Sequence, residues 1–231
     1  MRTKLDDVRR LYSLLDTLER RTGGKRQLAQ CSGKLNWPRR GLYSFFESGE
    51  ERSSSGTGPR VVRVGTHALT STSRTTLWHR LSQHRGSSNT GGGNHRGSIF
   101  RLLVGEALAN RDQVIALESW GQGSSATAAV RAHELEHEKR VSGYIGAMQL
   151  LWLETPDVSG SERLRGVIER NAIGLLSNYA GEPLDAASPN WLGHFSLRIK
   201  VRRSGLWNQN HVDESYDRGF LNEFERLANG E

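Results

Sequence analysis

Two β-rich runs separated by a turn-forming loop constrain this chain most. GLYSFFE (41–47) is aromatic and apolar and RVVRVG (60–65) is β-branched. Between them lies SGEERSSSGTGP, too polar and too rich in glycine to extend either run. The pair reads as neighbouring antiparallel strands. Just downstream, SRTTLWHRLSQH (73–84) opens on small polar residues suited to a helix N-terminus and carries Leu77, Leu81 and His84 at helical spacing.

The remaining elements follow from periodicity. Leu5, Val8, Leu11, Tyr12, Leu15 and Leu18 recur at three- and four-residue steps, which predicts a helix over 3–21 that ends at Gly23 and Gly24 and packs on the main body. GSSNTGGGN (86–94) has nothing to bury and is expected to be a mobile loop. Helices are expected near 98–110 and 125–140, a buried strand over YIGAMQLLWLE (144–154), a helix over 161–178 and a last one over 216–229. The fold class is therefore α+β (mixed α/β): a small, mostly antiparallel sheet flanked by helices, with helical N- and C-terminal extensions. The division is an amphipathic helix over 1–27, a main domain over 28–192 with an insertion near 86–140, and a basic, aromatic extension over 193–231.

Charge narrows the function. Lys and Arg outnumber Asp and Glu by 32 to 25, a formal net charge of +7 that favours polyanionic partners, nucleic acid first among them. The single cysteine, Cys31, excludes an internal disulfide framework and fits a reducing compartment. No stretch approaches the roughly 18 apolar residues of a membrane span, and MRTKLDDVRRLY is too charged for a secretory signal. A cytoplasmic protein is expected, with no membrane contact and no obligate protein partner evident.

One pentapeptide points elsewhere. His133–His137 reads HELEH, the HExxH pattern in which two histidines one helical turn apart hold zinc and the glutamate activates water. A third ligand would have to be Glu154 or Glu162, and Arg140 and Gly143 stand where one zinc-peptidase class extends the motif. The surrounding RAHELEHEKR is charged on all sides, which predicts a solvated helix laced with i,i+4 pairs. The peptidase remains an alternative.

The order strand, strand, helix, then a later strand and helix resembles the GIY-YIG nuclease family. The GIY of that family is Gly41-Leu42-Tyr43 here and its YIG is Arg63-Val64-Gly65, so Arg63 replaces the second tyrosine. Arg80 and His84 match the arginine and the histidine four residues later on the first helix, and IERNAI supplies Glu169 in a pattern like LExNxI. The final asparagine of the family is Asn190 or Asn178, with Asn190 favoured. The literal YIG at Tyr144–Gly146 follows the first helix rather than preceding it and reads as a decoy at the start of the third strand.

The resemblance implies a metal-dependent endonuclease hydrolysing phosphodiester bonds in DNA, double- or single-stranded, through a single Mg²⁺ (or Mn²⁺). Glu169 would bind the metal, Arg80 would orient and neutralise the phosphate, Tyr43 would activate water and His84 would assist proton transfer. One carboxylate suffices because Mg²⁺ keeps several waters and takes few protein ligands, and a guanidinium presents a planar fork to phosphate. Without the motif order, Tyr43 reads as core, Arg80 as a surface ion pair and His84 as an idle helix residue. Nucleic-acid contacts are expected from Arg63, His67, Arg85, His95, Arg96, Asn190, Arg202 and Arg203, with Trp207 stacking on a base beside the last two and GGGNHRGS (91–98) closing over a bound strand. Gly65 is expected where the backbone meets another element closely. The missing second tyrosine leaves open a protein that kept the fold, lost cleavage and only binds nucleic acid.

Overall fold

A computed structural model describes residues 3–70, 72–114, 118–156, 158 and 160–231. A four-stranded antiparallel sheet lies at its centre: β1 (Arg26–Gln27), β2 (Gly41–Glu51), β3 (Pro59–Thr66) and β4 (Gln149–Glu154), in the spatial order β1-β4-β2-β3. The predicted hairpin is β2 and β3, with Tyr43 opposite Gly65 on one side and Trp152 on the other.

Alternation along the strands gives each face its own core. Leu42, Phe46, Leu151 and Leu153 point to one face, where they meet α1 (Lys4–Thr22), α5 (Ser161–Leu176) and α7 (Phe220–Asn229). Tyr43, Phe45, Val62 and Leu150 point to the other, packed under α2 (Leu77–Arg85), α3 (Ile99–Arg111) and α4 (Ala128–Ala147). Val61 and Val64, three apart, share the first face because β3 carries a bulge between its partners for Phe45 and Phe46. Helix α1 buries the predicted stripe Val8, Leu11, Tyr12, Leu15 and Leu18. A Thr3–Asp6 capping box opens it, and Gly23, left-handed at φ 80°, closes it.

Three expectations need correction. Residues 144–147 are the last turn of α4, and the strand begins only at Gln149. Ile145 continues the helical stripe of Val141, while Met148, extended at ψ 144°, breaks it, so one apolar run spans two elements. The decoy Tyr144–Gly146 thus lies on a helix. The segment 86–94 is tied down: Ser87 N–H donates to Gly92 O at 2.7 Å and Gly91 N–H to Ser87 O at 3.0 Å. HELEH is solvated on one side only: His133 and Glu136 are exposed, whereas Glu134, His137 and the following Glu138 are buried. Arg96 forks onto Glu134 at 2.7 and 2.8 Å, Ser119 donates to the same carboxylate, and Arg101 and His95 share Glu138. Charges that look like a wet helix face are neutralised by partners from α3 and the segments around it.

Candidate active site

The tail residues 206–208 cover the open edge of β3. Trp207 N–H donates to Val62 O at 2.7 Å, and the Asn208 amide pairs with both backbone groups of Val64. Where this cover ends, a cleft of about 800 Å³ opens between β3, α2 and α5.

Tyr43 forms its inner wall. A Cβ on Gly65 would lie 2.5 Å from the Tyr43 Cζ and Oη, so only glycine lets the ring cross β3. The Tyr43 hydroxyl meets His84 Nε2 at 2.8 Å, and His84 Nδ1 meets Oγ of Ser98, the N-cap of α3, at 2.7 Å. His84 is fully buried; burial, then the charges of Arg80, Arg63 and Arg101, hold its pKa well below the ordinary imidazole value. It is neutral at pH 7.

Arg80, one turn before His84 on α2, reaches the same cleft, bonded to Gln83 Oε1 at 3.0 Å and Gly97 O at 3.1 Å. Glu169 comes from α5 on the opposite side. Its Oε1 accepts from Thr66 N–H at 3.1 Å, and among the described residues Oε2 has no hydrogen-bond partner. Burial raises the Glu169 carboxyl, opposed by Arg63, His211, the Thr66 amide and Arg80. Arg63 lines the cleft too, buried over the Phe100 ring at 4.6 Å and bonded to Trp207 O, its charge felt by Tyr43, Arg80 and Glu169. His67 donates Nδ1–H to Thr75 O at 2.9 Å; burial lowers its pKa to about 4, with Arg165, Arg40 and Arg80 acting in the same direction.

The remaining expected contacts lie elsewhere. Arg85 is bonded to Cys31 O at 2.6 Å and sits over Trp78. His95 and Arg96 are committed to Glu138 and Glu134, and Gly93 lies flat under the Arg101 guanidinium, so 91–98 is an anchored segment rather than a flap. Arg202 and Arg203 sit on α6 (Ile199–Ser204), bonded to Ser196 O and Tyr179 O. Trp207 cannot stack on a base, because it is fully buried between Trp191 and Phe100 while closing the β3 edge.

Neither Asn190, in an exposed turn, nor Asn178, which caps Leu184 N–H at 2.9 Å, lines the cleft. The asparagines that line it are Asn208 and Asn210, joined by His211, and of these Asn208 is the one bonded to β3. Sequence reasoning passed over all three, since LWNQNH carries no periodicity and its place depends on pairing with a strand more than 140 residues earlier, as the Val64–Asn208 separation of 144 shows.

Zinc at HELEH has no support in this donor set. Arg96 occupies Glu134, and His137 donates to Gly105 O at 3.0 Å. Among the described residues no three His, Cys, Asp or Glu side chains gather as a metal site; the side chain of Glu162 lies outside them.

A family model of the GIY-YIG domain matches residues 2–231, nearly the whole chain. The chain belongs to the GIY-YIG family. No curated protein and no solved structure matches it. Membership of the GIY-YIG family brings a nuclease-type function, hydrolysis directed at nucleic acids, and the α+β architecture agrees with it. Among the described residues no helix is long and apolar enough to cross a membrane.

Proposed function

We propose that the protein is a metal-dependent endonuclease that hydrolyses phosphodiester bonds in DNA at this cleft. The observation that carries the reading is the meeting of Tyr43, Arg80 and Glu169, drawn from three separated segments, on a single wall-to-wall space of phosphate size or larger. Each has a distinct part. Arg80 has no carboxylate partner among the described residues, so its fork is available to the scissile phosphate. Tyr43 faces the attacking water, and its hydroxyl can pass a proton to His84 Nε2 as it takes one from water. Burial, and then the nearby arginines, make neutral His84 a weak base; phosphate charge beside Arg80 relieves the arginine part of that penalty.

The donor set suits Mg²⁺ or Mn²⁺. Among the described residues Glu169 presents one half-buried carboxylate with Oε2 unengaged, whose raised pKa marks a charge that a cation would stabilise. Such an ion supplies Lewis-acid charge to the phosphoryl oxygens. The buried Cys31 thiol agrees with a reducing, cytoplasmic setting.

Incubation with plasmid and single-stranded DNA, with Mg²⁺ or EDTA, tests the reading. Metal-dependent nicking lost in Glu169→Ala supports it, and an RNA of matching sequence checks the choice of DNA. A second reading, binding without cleavage, is favoured by Arg63 standing where the family has a tyrosine; retention of DNA with no cutting in any divalent metal would establish it.

A further inference from the structure

Resting on the nuclease reading, we propose that His211 is the general acid of the reaction, giving the leaving sugar oxygen its proton, with Glu214 as the residue that positions its ring. His211 lines the cleft on the side that the C-terminal segment provides. Its Nδ1 meets Glu214 Oε1 at 2.8 Å, which leaves Nε2 as the nitrogen available to the cleft. Glu214 Oε2 is in turn held at 2.5 Å by Arg170 Nε, on the residue that follows Glu169 in α5. The acid and the metal-binding carboxylate are thereby tied to the same helix. A carboxylate on one ring nitrogen fixes the tautomer and orientation of a histidine and stabilises the charge on the ring that hands over a proton.

The backbone is set for this. His211 sits in the left-handed region at φ 65°, which a residue without β-branching can adopt. Its neighbour Val212 is buried, its carbonyl taken by Ser177 Oγ at 2.5 Å. Gly174 lets the Glu214 carbonyl come within 3.0 Å of where a Cβ would stand. Among the described residues of the cleft no other proton-carrying group is free for the task. His84 is engaged with Tyr43; His67, with its pKa lowered to about 4 and its one proton on Nδ1 given to Thr75 O, has none on Nε2 to donate; arginines do not release protons at working pH, and Glu169 serves the cation. The second tyrosine of the family is absent, so the cleft has one proton-handling phenol and needs a partner for it.

The step balances. Water oxygen bonds to phosphorus, and the bond from phosphorus to the leaving oxygen breaks with its electron pair. The proton of the water passes to Tyr43 as the phenol proton moves to His84, and His211 Nε2–H protonates the leaving oxygen. Solvent then restores both histidines.

The test compares DNA with bis(p-nitrophenyl) phosphate in Mg²⁺, because a nitrophenolate departs without a proton. The variant is His211→Asn, chosen since asparagine tolerates the left-handed backbone, with Glu214→Gln beside it and a thermal melt to show that both fold. Loss of a general acid should slow DNA cleavage by about 10²- to 10⁴-fold and the aryl ester by less than about tenfold. Glu214→Gln should show the same split at smaller amplitude. Equal slowing of both substrates, or none, in His211→Asn overturns the proposal while leaving the nuclease intact. A wild-type protein inactive on both substrates instead overturns the nuclease reading and this one with it.

Discussion

Replacing Gly65 by alanine puts a carbon 2.5 Å from both Cζ and Oη of Tyr43, where ordinary contact begins at 3.4 Å. The backbone of β3 is held by β2 and by Asn208, so the phenol must yield, by about 0.9 Å. Directed away from His84, such a shift would stretch the hydroxyl's 2.8 Å contact with Nε2 to about 3.7 Å, beyond hydrogen-bond range. Overpacking of this kind costs about 1–3 kcal/mol, and a misplacement near 1 Å costs about 100-fold in rate. Thermal melts and initial rates of duplex cleavage in Mg²⁺ measure the two effects. Because the loss acts through Tyr43, adding Gly65→Ala to Tyr43→Phe should slow cleavage little further. A Gly65→Ala protein that melts and cuts like wild type would refute the reasoning, for it would mean that the ring does not need to lie across β3.

Other consequences are open to the same kind of measurement. Burial raises the Glu169 carboxyl, so the folded chain holds that proton more tightly than the unfolded one, and stability is lost as pH rises from about 4.3 through the raised folded value. In EDTA at pH 7, Glu169→Gln should therefore melt above wild type, and the gap should close at pH 4; a gap independent of pH contradicts the burial argument. Arg101, fully buried against Glu138, should be costly to truncate, with Arg101→Met losing about 3–5 kcal/mol in urea unfolding. A loss below about 1 kcal/mol would mean that water reaches this network.

How far the sequence disclosed the protein depends on the range of the interactions. The β2–β3 hairpin, the first helix and the position of Glu169 on α5 follow from local alternation and periodicity, and the structure has them there. The α4–β4 boundary is hidden because YIGAMQLLWLE is largely apolar, and the extended backbone of Met148 marks where the helix stops. HELEH looked solvated because its partners are distant in the chain: Arg96 is 38 residues from Glu134, and Arg101 is 37 from Glu138. Asn208 and His211 were invisible for the same reason, as the tail reaches the cleft only by completing the edge of β3. Trp207, read as a base platform from its basic neighbours, is instead a piece of core.

The central claim is that a phenol, a guanidinium and a carboxylate act on one phosphate. Its most direct test is the initial rate of cleavage of a short DNA duplex in Mg²⁺ by wild type, Tyr43→Phe, Arg80→Ala, Glu169→Ala and the Tyr43→Phe/Glu169→Ala double variant. Each single change should lower the rate by about 10²- to 10⁴-fold, and the double variant should be no slower than the worse of its parents, as for groups that act as a unit. Tyr43→Phe cutting at the wild-type rate, or losses that simply multiply in the double variant, would contradict the account.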